Sequence, residues 1–159
     1  MSTKYSITVY GKEASSERIR FAQEVSGLSR LHKGLVPVGH ADLLNRIMIV
    51  AQLKDTPGLI GHVSLKPAEL DTSFERWRQL STHVVLPKYQ GQGVGRVLLE
   101  TAAGVARYLE DNLYAYAMND TPEGLRYFER HGYQQEEIFG RVSMVQRCGA
   151  TALFEEFVA

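Results

Sequence analysis

A chain of 159 residues with 44% hydrophobic and 23% charged side chains is long enough to bury a core, and its composition excludes intrinsic disorder. Its 18 basic and 18 acidic side chains cancel, so no global field draws it to nucleic acid or to an anionic membrane, and any phosphate must be held locally. The one cysteine, Cys148, excludes an intrachain disulfide and a cysteine-rich metal site, fits a reducing compartment, and reads as a small buried apolar residue.

The opening "MSTKYSITVY" lacks the basic-then-apolar layout of a signal peptide, and no apolar run approaches spanning length, so a cytoplasmic protein is expected. Tyr5, Ile7 and Val9 alternate with polar neighbours as a first strand does. Ile19, Ala22, Val25 and Leu28 then recur at helical spacing behind Ser15 and Ser16. From Gly34 to Leu44 the pattern is irregular and broken by Pro37, which predicts a loop or a short helix. "RIMIVAQL" and "LIGHVSL" flank "KDTPG" and read as a hairpin, and "WRQLSTHVVLP" is a further strand ended by Pro87.

A glycine-rich segment then feeds a helix carrying Val94, Leu98, Ala102, Val105 and Leu109 on one face. "NLYAYAM" is a strand, and Thr121 with Pro122 reads as the cap and first residue of a helix that stops at Gly132. "YQQEEIFG" and "RVSMVQRC" make a last strand pair. Leu153, Phe154 and Phe157 form a terminal apolar stripe that suits a homodimer contact as well as packing on its own sheet. The order predicts one mixed α/β domain over residues 1–159, with the strands around Leu80 and Ala115 parallel because a helix connects them.

The stretch from Leu86 to Leu99, "LPKYQGQGVGRVLL", sets Gly91, Gly93 and Gly95 where a helix begins. Two readings are open. Bare backbone at a helix N-terminus lets an anion reach unpaired N–H groups, or the glycines serve only a tight turn with positive φ. A dinucleotide fingerprint fails, because Arg96 stands where its third glycine belongs and Glu110 and Asp111 precede the next strand instead of ending it. A triphosphate loop fails too, since no Lys-Ser or Lys-Thr follows these glycines. NAD and ATP are therefore set aside.

Gln90-Gly91-Gln92-Gly93-Val94-Gly95 resembles the [QR]-x-x-G-x-[GA] signature of the GNAT superfamily of acyl-CoA N-acyltransferases. "VVLP" resembles that family's strand ending V-x-P, with Pro87 at the usual spacing before Gln90, and "GLRYFERHGY" from Gly124 to Tyr133 resembles its later helix. The resemblance runs from Trp77 to Tyr133. It implies the GNAT fold: a mixed central sheet of about six to seven strands, a V-shaped splay between two parallel central strands, and helices on both faces.

The same resemblance implies acetyl-CoA (coenzyme A) as cosubstrate and no metal. His83, Val84 and Val85 would lie along the pantetheine arm. The N–H groups of Gly91, Gln92, Gly93, Val94, Gly95 and Arg96 would take the pyrophosphate; the Arg96 side chain either adds charge there or is merely solvated. Thr121 replaces the family's asparagine, with Asn119 close by. The implied reaction is direct transfer of an acetyl group to a primary amine on a small molecule or peptide, through an oxyanion that a strand N–H such as that of Val85 stabilises.

Departures from the family pattern sit at the chemistry. The usual base positions hold Gln79 and Ser81, which face substrate without being bases. His83 is the candidate base or water relay, or else points into the sheet; His62 is a second candidate, or a hydrogen-bonded strand histidine. His32, His40 and His131 have no metal-site spacing. The tyrosine expected to protonate the leaving thiolate falls at Phe128, also substrate-facing, while Tyr127 lies about 100° away around the helix and is expected in the core. Without a strong base a weakly basic amine suits the site, since a lysine amine is neutral only about once in 2,500 molecules at pH 7. An N-acetyltransferase and a noncatalytic acyl-CoA-binding module are both compatible with these substitutions.

Overall fold

The computed structural model describes residues 4–11, 15–31, 36–55, 57–68, 76–116 and 122–148. Its elements follow the hydrophobic periodicity closely. Strand β1 (Tyr5–Tyr10) leads to helix α1 (Ser16–Leu31), whose start is set by Ser15: its Oγ accepts the N–H of Arg18 at 3.1 Å. The irregular stretch holds a single short turn of helix, α2 (His40–Leu43). Strands β2 (Ile47–Leu53) and β3 (Leu59–Pro67) form the expected antiparallel hairpin, and β4 (Trp77–Val85) ends before a 3-10 turn at Pro87–Tyr89. Helix α3 (Val94–Leu109), strand β5 (Asn112–Tyr116), helix α4 (Pro122–Arg130) and strands β6 (Gln134–Ile138) and β7 (Arg141–Gln146) complete the order.

Hydrogen bonding links the strands as β1-β2-β3-β4-β5-β7-β6, a seven-stranded mixed sheet in which β4 and β5 are the parallel pair. This is the α/β sheet expected from the order of elements. The described residues of Met1–Lys66 and Ser81–Leu99 form one compact unit, and those of Pro67–Leu80 and Glu100–Ala159 another. No described helix is long and apolar enough to cross a membrane.

In the first unit, Phe21, Ala22 and Val25 of α1 pack with Met48 and Val50 of β2, joined by Tyr10, Val38, Leu43 and Leu59. Phe21 is fully buried, and truncating it to alanine would cost about 3–5 kcal/mol. The register pairs Val50 with His62 and Met48 with Ser64, which puts His62 and Ser64 on the α1 face. Ala51 and Gly61 pair on the opposite face, where a Cβ on Gly61 would come within 3.0 Å of Leu98 and 3.2 Å of Val94. A larger residue there would force those side chains of α3 to give by a few tenths of an ångström. Helices thus cover both faces of this unit.

The second unit is organised by aromatic rings. Tyr114 meets Trp77 (6.1 Å between centroids), Tyr116 (5.3 Å) and Phe139 (5.3 Å), all near edge-on. Phe139 and Gly140 form the β6–β7 turn with φ of 52° and 78°. Two successive left-handed residues are what a type I′ hairpin requires, and the packed ring holds Phe139 there despite its Cβ. Asp111, buried at the start of β5, accepts from Arg78 Nε at 2.6 Å and pairs with Arg76 Nε at 2.9 Å, locking β4 to the strand it parallels.

Candidate active site

Within the first unit, β4 and the N-terminus of α3 carry most of the residues singled out from sequence. Gly91 and Gly93 have φ of 78° and 84°, so the turn requirement is met at both. The approach requirement is met as well. A Cβ added at Gly91 would meet nothing within 4 Å, and one at Gly93 would meet only Arg96 Nη2 at 3.9 Å. The first helical bond of α3 runs from Val97 N–H to the Gly93 carbonyl at 3.1 Å, which leaves the preceding N–H groups at the positive end of the helix dipole. Gly95 has an ordinary helical role in the first turn, and Arg96 is exposed beside the glycines. Gln90 closes the loop by donating Nε2 to the Val85 carbonyl at 3.0 Å.

The ladder between β4 and β5 joins Trp77–Gln79 to Asn112–Tyr114, and β4 runs on past its last pair to Val85. In that continuation Thr82 adopts φ 51°, a left-handed conformation that a β-branched residue holds only under external constraint. The constraint is visible. His62 Nδ1 donates to the Thr82 carbonyl at 2.9 Å, Arg46 Nη1 donates to Thr82 Oγ1 at 3.2 Å and to Ser64 Oγ at 3.1 Å, and Ser64 Oγ donates to the Ser81 carbonyl at 3.1 Å. His83 and Val85, half-buried, and Val84, buried, follow directly after this bend.

His62 is fully enclosed, and burial pushes its pKa down to about 4, with the neighbouring Arg46 and His83 adding to the effect. It is neutral at pH 7, and its Nε2 is buried without a hydrogen-bond partner among the described residues. Such a group holds backbone in place and cannot collect protons from solvent. Its hydrogen bond to the Thr82 carbonyl is that of a strand histidine.

The second unit holds the remaining candidates. Gln79 is buried opposite Tyr114, with its Oε1 unpartnered. Phe128 serves the end of α4: Tyr133 N–H bonds the Phe128 carbonyl and Gly132 N–H the Glu129 carbonyl, both at 3.1 Å, with Gly132 at φ 89°. That is a Schellman cap, and the Phe128 and Tyr133 rings, 5.2 Å apart, are its apolar contact. Tyr127 departs from expectation. It is half-buried against Phe128 and His131, because the short α4 buries none of its residues fully. Cys148 likewise is only half-buried, and burial raises its thiol pKa. Thr121, Asn119 and the stripe of Leu153, Phe154 and Phe157 lie outside the described residues.

Two features escaped the sequence: the left-handed turn at Thr82 in β4 and the buried Arg46 that braces it. A lone arginine before an apolar strand carries no local signal of either.

The model of the Acetyltransferase (GNAT) domain matches residues 45–135, and the chain belongs to the GNAT acetyltransferase family. No curated protein matches significantly. Among solved structures, yncA of Salmonella typhimurium with its cofactor acetyl-CoA aligns with 18% identity and a TM-score of 0.69 over 91% of this chain and 94% of that one. A phosphinothricin acetyltransferase from Sinorhizobium meliloti in complex with acetyl-CoA aligns with 18% identity and a TM-score of 0.68 over 91% and 89%. Naa50 of Arabidopsis thaliana, in complex with the bisubstrate analogue CoA-Ac-MVNAL, aligns with 17% identity and a TM-score of 0.59 over 88% and 96%. These likenesses are ones of fold.

Proposed function

We propose that the protein transfers the acetyl group of acetyl-CoA directly to a primary amine. The observation that carries this reading is the pair of left-handed glycines at the N-terminus of α3, with open space where their side chains would be. A diphosphate approaching that backbone meets several N–H donors and the helix dipole at once. The family supports it, as do the relatives that hold acetyl-CoA. His83, Val84 and Val85, beyond the last β4–β5 ladder pair, offer main-chain groups to the amide-rich pantetheine arm.

In this reading the amine nitrogen attacks the thioester carbon, the resulting oxyanion is held by a β4 N–H such as that of Val85, and the carbon–sulfur bond breaks to release thiolate. The proton shed by the nitrogen passes to His83 or to a water it orders. Thiolate is a good leaving group, with a pKa of about 8.5 for the cysteine thiol, so Phe128 in place of an acid is no obstacle. Gln79, Ser81 and Phe128 also keep a second reading in play, a module that binds acyl-CoA without reacting.

The test is a thermal shift. Acetyl-CoA at a hundred times its dissociation constant should stabilise the fold by about 2.7 kcal/mol, while NAD and ATP do little. Gly93→Glu puts bulk and negative charge on the diphosphate path. An undiminished acetyl-CoA shift in that folded variant defeats the assignment, and thiol release across a panel of amines separates enzyme from binding module.

A further inference from the structure

Arg46 is nine-tenths buried, with 9% of its surface exposed, and no carboxylate among the described residues pairs with it. Among the described residues its side-chain hydrogen bonds come from Nη1 alone, to the hydroxyls of Ser64 and Thr82. Among the described residues no acceptor is bonded to its Nε–H or its second Nη. Desolvation depresses its pKa, and Asp42 compensates only at longer range. A largely buried guanidinium whose only hydrogen-bond acceptors are neutral hydroxyls is costly, because no counter-charge touches it.

The surroundings hold this cation in place. Arg18 Nη2 donates to the carbonyls of Leu44 and, at 3.2 Å, of Arg46, fixing from behind the turn that presents the guanidinium. Ser64 and Thr82 fix it from the front, and Ser64 is itself tied to the Ser81 carbonyl. Two braced sides and one open N–H edge make a preorganised fork, which matches the two oxygens of a carboxylate.

We infer that Arg46 is an oxyanion subsite for the acceptor, and that the amine acetylated by this protein carries a carboxylate. Arg46 touches Thr82, the residue before His83, so a short amino acid held by its carboxylate at Arg46 has its amine beside the β4 segment His83–Val85. The substrate class rests on the acetyl-transfer reading; the anion site does not.

The experiment compares each standard L-amino acid with its carboxamide, in the presence of CoA for binding by calorimetry and of acetyl-CoA for thiol release. At least one acid should bind or react ~10- to 100-fold better than its amide, the range of one charge-assisted hydrogen-bonded pair. Arg46→Gln should bring the ratio to about one in protein that still shows an acetyl-CoA thermal shift, and Arg46→Lys should fall between, keeping charge without the fork. If Arg46→Gln does not fold, Arg46→Lys and the wild-type ratio decide. Acids and amides treated alike by the wild type, or discrimination that survives both substitutions, overturns the inference. Carboxylate binding that depends on Arg46 without any thiol release upholds the anion site and defeats acetyl transfer. Thiol release indifferent to the carboxylate does the reverse.

Discussion

His62 Nδ1 lies 2.9 Å from the carbonyl oxygen of Thr82, and this bond ties β3 to the one residue of β4 with left-handed backbone. Because Nδ1 must carry the proton to donate, the buried Nε2 is the bare nitrogen. The bend it secures comes immediately before His83. Three polar side chains of the first unit, His62, Arg46 and Ser64, thus converge on Ser81 and Thr82.

The burial of this imidazole, which outweighs the bond's opposite pull, predicts a pH signature. The folded-state pKa of about 4 is below the unfolded value near 6.5, so the unfolded chain binds the extra proton and stability rises with pH between those values. Its contribution is complete above about pH 6.5 and is lost as pH falls towards 4, by about 3 kcal/mol in all. Urea denaturation at pH 7.5 and 4.5 should show the wild type losing more stability on acidification than His62→Gln. Equal losses would mean that His62 protonates freely in the folded state.

His83 carries a kinetic prediction. As base or water relay it sets the acid limb of the pH–rate profile, and His83→Ala should lower kcat/KM by roughly 10²-fold at neutral pH with CoA affinity nearly unchanged. A loss of only a few fold would return His83 to a packing role and leave an ordered water on Gln79 or Ser81 as the relay.

Phe128 separates an enzyme without an acid from a module without catalysis. Phe128→Tyr adds one phenol while keeping the ring that contacts Tyr133 in the α4 cap. Where thiolate departure is partly limiting, turnover should rise, by roughly tenfold at most for so good a leaving group. Tyr127 is half-buried, and desolvation raises its pKa, so Tyr127→Phe should alter stability more than rate. Loss of turnover in Tyr127→Phe with no change in Phe128→Tyr would reverse the assignment of the two residues.

Asp111 predicts an asymmetric pair of stability losses. The carboxylate is 2% exposed, whereas Arg76 and Arg78 are 67% and 21% exposed. Removing the carboxylate leaves two cations that can reach water, so Asp111→Asn should cost about 1–3 kcal/mol. Replacing both arginines by methionine strands a buried charge and should cost about 3–5 kcal/mol. Denaturant midpoints of the two variants measure the order, and a reversed order would show that the arginines contribute little.

The sequence by itself determined the succession of elements and the glycine turn ahead of α3. Period-two and period-3.6 patterns, Pro87 as a stop and Gly132 as a cap are local preferences, and the glycines before α3 are spaced as a helix-terminal anion loop needs whatever the rest of the chain does. The seven-strand order and parallel β4–β5 pair bear out the succession of elements. Tertiary structure alone decided what surrounds each side chain. Gly61 lies close under Val94 and Leu98, burial lowers the pKa of His62, Tyr127 is only half-buried, and Arg46 meets Thr82 from 36 residues away. None of these is written in a period or a motif, because burial, pairing and backbone strain at one residue are set by partners distant in the chain.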